Sequence, residues 1–281
     1  MSSITRNKRR PNIIDGMMIP IKHAGGLTLP VIGLGTWGIG GYYEREYGSN
    51  DARCIAAIVS AIDLGITHID VAEIYAQGRA EVLVGQAIKP YDRSTLTITS
   101  KVHPDHASAQ SLVESCERSL ERLQTPYIDL YLLHTFNRFV PIAETMKGLE
   151  RVVEKGYVKH AGVSNFSKEE ITAARAVSAL PIVNNQIHYS LEARGWEDDG
   201  TLAYCEKEGI LVTAYRPISQ GKLLDQPLLQ SMAKKYGKTP AQVAINWIIT
   251  KPNLVTLVKS TNPKHLEENL GAVGWRLENE D

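Results

Sequence analysis

Eight short apolar runs, the amphipathic stretches between them and a length of 281 residues predict a (β/α)8 TIM barrel with an N-terminal β-hairpin closing its bottom. Seven runs are rich in β-branched residues and end in a polar side chain. They are Ile66–Asp70, Leu96–Lys101, Ile128–His134, Val158–Ser164, Ile182–Gln186, Ile210–Tyr215 and Leu254–Lys259. An eighth lies near Val31–Thr36. Continuous apolar strands of this kind suit a parallel sheet covered on both faces. Most polar endings are spaced by roughly 30 residues, the size of one βα unit.

The hairpin is expected over Met18–Ile32, with Gly25 and Gly26 supplying the turn because glycine accepts positive φ. Helices are expected over Asp51–Leu64, Ala107–Leu123, Ile142–Lys155, Lys168–Ala179 and Thr239–Thr250. Pro240 stands where a first helical turn tolerates proline, and Asp51 is an N-cap or first-turn acid. Residues 1–16 are polar and basic and read as a loose tail. No composition break divides residues 17–281, which read as one barrel domain.

Composition excludes several functions. Lys+Arg and Asp+Glu both number 31, so no charge surplus exists to neutralise phosphates and no nucleic-acid partner is expected. No apolar run approaches the ~20 residues of a membrane span. The basic start is not followed by an apolar stretch, which argues against a secretory signal. Cys54, Cys116 and Cys205 lie far apart in helix-like segments, in neither a disulfide nor a zinc spacing. The expectation is a cytoplasmic protein without a metal.

Gly33-Leu-Gly35-Thr-Trp-Gly38 matches G-x-G-x-x-G, but no helix opens directly after it. A dinucleotide fingerprint needs that helix. The segment is read instead as the first barrel strand and a loop over the barrel mouth, with Trp37 facing the pocket. His103-Pro-Asp-His106 resembles a metal pair only superficially and reads as solvated loop histidines.

Asp70, Tyr75, Lys101 and His134 come from three successive βα junctions, and function gathers at the carboxyl ends of barrel strands. Each alone would be unremarkable; together they form a proton-transfer set. A free tyrosine holds its proton to a pKa of about 10. A cation at about 4 Å contributes on the order of 4 kcal/mol at an effective dielectric of ~20, enough to lower that pKa by up to ~3 units before desolvation. Lys101 supplies the cation, Asp70 keeps it charged and aimed, and His134 orients a carbonyl.

Ile69-Asp70-Val-Ala-Glu-Ile-Tyr75, with Glu81 downstream, resembles the first signature of the aldo-keto reductases. Ala161-Gly-Val-Ser-Asn165-Phe resembles the second, and Val258-Lys-Ser-Thr261 with Asn269 the third. The similarity runs from about Met17 to Trp275. It implies an oxidoreductase that passes hydride from NADPH to aldehydes and ketones, with Tyr75 as general acid, Lys101 and Asp70 tuning it and His134 positioning the carbonyl. It also implies a monomer. The other reading is an NADP-binding, redox-sensing regulatory subunit with little turnover; retention of all four catalytic-type residues favours the enzyme.

The resemblance implies that the cofactor lies across the barrel mouth. Ser164, Asn165 and Gln186 would hold the carboxamide, which needs both donors and acceptors. Tyr215 would stack on the nicotinamide. Pro217, Ser219, Gly221 and Lys222 lie in the segment resembling the family's pyrophosphate strap. Lys259, Ser260 and Thr261 match the 2′-phosphate segment, and Glu268 and Asn269 match the adenine contacts. His265 stands where many members carry arginine, and imidazole is mostly neutral at pH 7 and cannot form a bidentate fork. The expectation is NADP(H) with weaker, more pH-dependent discrimination, so that NAD(H) is also accepted.

Two positions that often hold pocket tryptophans carry His103 and Thr135, which makes the substrate pocket more polar. Phe136, Trp37 and Tyr43 are expected to supply its apolar wall. The sequence stops at Asp281, short of the family's usual C-terminal helix and tail, so a more open mouth is expected. These departures point to small polar aldehydes or α-oxoaldehydes as substrates.

Overall fold

The computed structural model describes Arg9 and residues 19–46, 50–278, 280 and 281. Of the expected tail, all but Arg9 lies outside the described residues. Arg9 itself is tied down. Its backbone N–H donates to Pro90 O at 2.8 Å, and its carbonyl accepts from Asp92 N at 3.0 Å.

Strands β1 (Ile21–Ala24) and β2 (Leu27–Pro30) form the antiparallel hairpin. Gly25 and Gly26 turn between them at φ 52° and 85°. A two-residue turn with both φ values positive matches strand twist, and only glycine meets it without strain. A Cβ on Gly25 would also collide with Val183.

Eight parallel strands follow: β3 (Ile32–Gly35), β4 (His68–Asp70), β5 (Thr97–Val102), β6 (Ile128–Leu133), β7 (Val158–Ser164), β8 (Ile182–His188), β9 (Leu211–Tyr215) and β10 (Leu254–Val258). They pair in chain order, and β10 closes on β3 through Thr256↔Ile32 and Val258↔Leu34. The expected (β/α)8 barrel is therefore the observed one. Leu27 and Leu29 of the hairpin pack with Leu130, Leu132, Val183, Leu211 and Val255 from the barrel interior. The hairpin thus plugs the bottom and leaves the opposite, carboxyl-terminal mouth for chemistry.

The helices are α1 (Asn50–Asp63), α2 (Arg79–Ile88), α3 (Ala109–Leu123), α4 (Ile142–Glu154), α5 (Lys168–Ala176), α6 (Gly195–Asp198), α7 (Thr201–Lys207), α8 (Pro227–Tyr236), α9 (Pro240–Ile249) and α10 (Pro263–Leu270). Their starts obey local capping. Ser167 with Glu170, and Thr239 with Gln242, form reciprocal capping boxes. α3 begins two residues later than expected, because Pro104–His106 makes a separate 3₁₀ turn and Ser108 caps the helix. α5 ends three residues early. Pro181 biases Leu180 away from helix, and Ser178 accepts from Leu180 N instead. The unusually long step before β10 holds both α8 and α9. No described helix is long and apolar enough to cross a membrane.

Lys22 fastens the plug to the barrel. Its ammonium donates to the carbonyls of Ile249 (2.7 Å), Lys251 (2.5 Å) and Leu254 (2.5 Å), covering acceptors left open where α9 ends. Burial, with the nearby Arg276 charge, pushes its pKa down to about 8.

Leu29 is fully buried in the plug. Replacing it with alanine removes apolar contact and leaves a cavity, so Leu29→Ala should destabilise the protein by about 2–5 kcal/mol in urea unfolding. A loss under about 1 kcal/mol would show that the plug lies outside the cooperative core.

Candidate active site

Three adjacent strands place the first functional groups. Asp70 ends β4, Lys101 lies near the end of β5, and His134 follows β6, its backbone N–H bonded to Val102 O at 3.0 Å. Parallel pairing in register brings their side chains to one level. Lys101 is fully buried, and its ammonium makes three bonds: to Asp70 Oδ1 at 2.6 Å, Val71 O at 3.0 Å and Tyr75 Oη at 3.1 Å. An ammonium has three N–H donors, so each finds an acceptor. The other Asp70 oxygen accepts from Gln186 Nε2 at 2.7 Å. Burial alone would lower the Lys101 pKa, but Asp70 and Tyr75 outweigh it, and the net shift is upward.

Tyr75 is held by unusual backbone. Ala76, Gln77 and Gly78 directly after it have φ of 47°, 53° and 82°. Non-glycine residues in this region are uncommon and costly, and such strain clusters at functional sites. The loop after β3 supports the turn: Ala76 N donates to Tyr42 O at 2.7 Å, and Arg45 Nη2 donates to Gln77 O at 2.8 Å. Trp37 packs edge-on against Tyr75 with centroids 5.0 Å apart, and the His134 ring lies 5.8 Å from Tyr75.

The protonation states correct one expectation. The Tyr75 pKa is raised, not lowered: burial dominates, and Lys101 only partly offsets it. The ammonium sits closer to Asp70 than to the phenol, and the Asp70 charge itself opposes phenolate. Tyr75 therefore holds its proton at pH 7. Burial, helped by Lys101 and His103, pushes His134 down to about 3, so it is a neutral imidazole.

These groups open onto a cleft of about 860 Å³ that runs unbroken from Trp37, Tyr43, Tyr75, His103 and His134 to Lys259, His265 and Asn269. Asn165 is half-buried at its wall. It adopts φ 58°, donates to His134 O at 3.2 Å and Ser164 Oγ at 3.0 Å, and accepts from Tyr215 Oη at 3.0 Å. Ser164 is buried behind it and donates to Gln186 O at 2.8 Å, so it supports the wall instead of facing the cleft. The Gln186 amide nitrogen is committed to Asp70, which leaves its oxygen for a ligand. Tyr215 lines the cleft with its ring backed by His188 at 5.4 Å, nearly parallel.

The segment after Tyr215 departs from expectation. Arg216, Ser219, Gln220 and Gly221 have φ of 57°, 46°, 59° and 93°. This tight course lines the cleft with Arg216, Pro217, Gln220 and Gly221, while Lys222 is exposed to solvent and does not line it. The Ser219 hydroxyl bonds Ser190 at 3.4 Å. Arg216, which the sequence reading missed, is the cation of this loop. Its signal was available, since it directly follows a strand-end residue.

At the far end, the Lys259 ammonium and the His265 imidazole are exposed and line the cleft. Ser260 Oγ accepts from Asn262 N at 3.0 Å, and Thr261 Oγ1 accepts from Arg53 Nη2 at 3.3 Å. Asn269 is buried and lines the cleft, whereas Glu268 contributes a carbonyl that accepts from Gln242 at 2.8 Å. Phe136 does not line the cleft: partly buried, it packs edge-on against the core residue Phe166, 5.4 Å away. Tyr42 joins Trp37 and Tyr43 at the apolar rim. Glu73 fixes the polar side, accepting from His103 N at 2.5 Å and His106 Nδ1 at 2.9 Å. Among the described residues no group of three or more His, Cys, Asp or Glu could hold a metal ion. An aromatic face, a free amide oxygen, a glycine-bearing loop with a cation, and the Lys259 ammonium beyond it suit an extended, phosphate-bearing nucleotide.

Comparison with known proteins agrees with this geometry. Residues 31–281 match the family described as Aldo/keto reductase family. The methylglyoxal reductase YeaE of Escherichia coli is 34% identical over 266 residues, covering 92% of this chain and 90% of that protein. A thermostable aldo-keto reductase solved with the inhibitor epalrestat superposes with a TM-score of 0.90 at 40% identity, covering 93% of this chain and 96% of that one. An aldo-keto reductase from Klebsiella pneumoniae in complex with NADPH superposes at 0.86 with 35% identity, covering 94% and 93%.

His68, beneath Asp70 on β4, is fully buried with Nε2 2.9 Å from Thr99 Oγ1, and burial pushes its pKa down to about 4. Its unfolded value is about 6.5, so the unfolded chain binds the extra proton first as pH falls. Stability is complete above pH 6.5 and is lost below it, by about 2 kcal/mol from this group between pH 6.5 and 5. Urea unfolding at pH 7 and pH 5 should show that slope reduced by about this amount in His68→Gln; an unchanged slope refutes the assignment.

Proposed function

The chain belongs to the aldo/keto reductase family, and on that premise we propose that it reduces small polar aldehydes and α-oxoaldehydes to alcohols with NADPH, Tyr75 giving the proton. The observation that carries this reading is the buried Lys101 ammonium shared between Asp70 and the Tyr75 hydroxyl, beside a neutral His134 at the cleft wall.

Reduced nicotinamide, when bound, supplies the hydride to the carbonyl carbon. The remaining work belongs to the protein. The neutral imidazole of His134 donates an N–H to the carbonyl oxygen, fixing its position between His134 and Tyr75. As the oxygen gains negative charge it becomes more basic than a phenolate, and Tyr75 Oη transfers its proton there. The phenolate left behind faces the Lys101 ammonium, an attraction on the order of 5 kcal/mol at 3.1 Å and an effective dielectric of ~20. Oxidation of an alcohol runs the same path in reverse. A raised Tyr75 pKa suits the acid role, because the proton is in place at neutral pH.

Gln186 and Tyr215 would hold the nicotinamide with Asn165, and Arg216 would meet the pyrophosphate charge. Lys259 and His265 stand where a 2′-phosphate would distinguish NADP(H) from NAD(H). His103 and Thr135 line the substrate side and favour polar carbonyls over large apolar ones. The methylglyoxal reductase among the relatives supports the same class.

Following NADPH absorbance with methylglyoxal, small aldehydes and a steroid ketone tests the reading. Small carbonyls should turn over fastest, and higher kcat/KM on the steroid ketone overturns the substrate class. Tyr75→Phe should lower kcat by about 100-fold or more while the Kd for NADPH stays within about twofold. A variant with wild-type kcat overturns the proton donor.

A further inference from the structure

We propose that Arg53, on the first helix, grips the cofactor's 2′-phosphate together with Lys259 and is the residue that sets preference for NADP(H) over NAD(H). The inference rests on the cofactor reading above and adds to it a residue from the opposite end of the chain.

The starting observation is a hydrogen bond across 208 positions of sequence, Arg53 Nη2 to Thr261 Oγ1 at 3.3 Å. Barrel closure creates it. β10 pairs with β3, so the segment that leaves β10 runs beside the helix that follows β3. α1 and α10 accordingly touch. Arg53 stands in the first turns of α1, and Thr261 lies two residues past Lys259, which lines the cleft.

The bond holds the guanidinium in place without neutralising it. Thr261 offers a neutral hydroxyl, and among the described residues Arg53 has no carboxylate partner. The nearest acid on its own helix, Asp51, is paired with Arg79. Arg53 is exposed, so its charge costs little to keep. Lys259 likewise has no carboxylate partner among the described residues. Arg53 is bonded to Thr261, Lys259 precedes Thr261 by two residues in the chain, and Asn262 caps the start of α10 just beyond.

Such an arrangement lacks an anion. A phosphate monoester presents several oxygens, and guanidinium can meet two of them with parallel N–H groups, a geometry that the His265 imidazole cannot offer and that a lysine supplies only as a point charge. Arg53 therefore takes the role that the sequence denies to position 265. NAD(H), with a 2′-hydroxyl there, would gain little from it.

The test is cofactor binding, read by quenching of intrinsic fluorescence and by calorimetry, with adenosine 2′,5′-bisphosphate as a probe that lacks nicotinamide. Arg53→Gln should weaken NADP⁺ and the bisphosphate by about 10-fold or more, since hydrogen bonds to charged groups contribute about 1.5–3 kcal/mol, and change NAD⁺ by less than about twofold. Arg53→Lys should recover part of the loss. Equal weakening of NADP⁺ and NAD⁺, or none, overturns the proposal. Lys259→Met separates the two levels of inference. If it weakens NADP⁺ selectively while Arg53→Gln does not, only the Arg53 assignment fails. If wild type binds NADP⁺ and NAD⁺ equally and neither variant alters that, the NADP(H) reading fails as well.

Discussion

A single buried ammonium organises the mouth of this barrel. Lys101 is sealed from water, and removing a charge from water costs several kcal/mol unless partners replace the solvent. Its three donors are met by a carboxylate, a backbone carbonyl and a phenol. Those requirements fix Asp70, hold the strand end at Val71 and draw Tyr75 inward. Asp70 in turn orients Gln186 from the far side of the barrel. Tyr75, the ammonium beside it and one wall of the cleft are thus parts of one hydrogen-bond network.

Charge within that network explains why the phenol is not activated in the simple sense. Burial penalises phenolate most, and the Lys101 ammonium only partly offsets it, because the Asp70 carboxylate 2.6 Å from that ammonium adds an opposing charge. The result is a phenol that keeps its proton at neutral pH, with an ammonium 3.1 Å from its oxygen. Burial likewise keeps His134 neutral.

Strain is concentrated where the cleft must be shaped from backbone. Ala76 and Gln77 after Tyr75, Asn165 at the cleft wall, and Arg216, Ser219 and Gln220 in the loop over the cleft all have positive φ without being glycine. Each costs free energy that surrounding contacts must offset. The Tyr42 and Arg45 contacts to the Tyr75 turn, and the three bonds of Asn165, are visible offsets. The plugged bottom, by contrast, relies on apolar packing, a glycine turn and the three bonds of the Lys22 ammonium.

The strand rhythm, the glycine pair of the hairpin and the polar residue closing each run were legible because they are local: side-chain period, turn chemistry and the alternation of βα units are written in neighbouring residues. Asp70, Lys101 and His134 were legible for the same reason, as strand-end residues of a repeat whose geometry is known, and Tyr75 as a residue of the loop that follows Asp70. What escaped was everything set by the sum of distant contacts. The sign of the Tyr75 shift depended on how deeply the closed barrel buries the phenol. Phe136 packed against the core because Phe166 waited for it there, and Lys222 yielded its place to Arg216 because left-handed backbone turned the loop. Barrel closure alone put Arg53 beside Thr261. Sequence determines which groups stand at the ends of the strands; electrostatics and packing act through space, so only the closed barrel decides which of them meet.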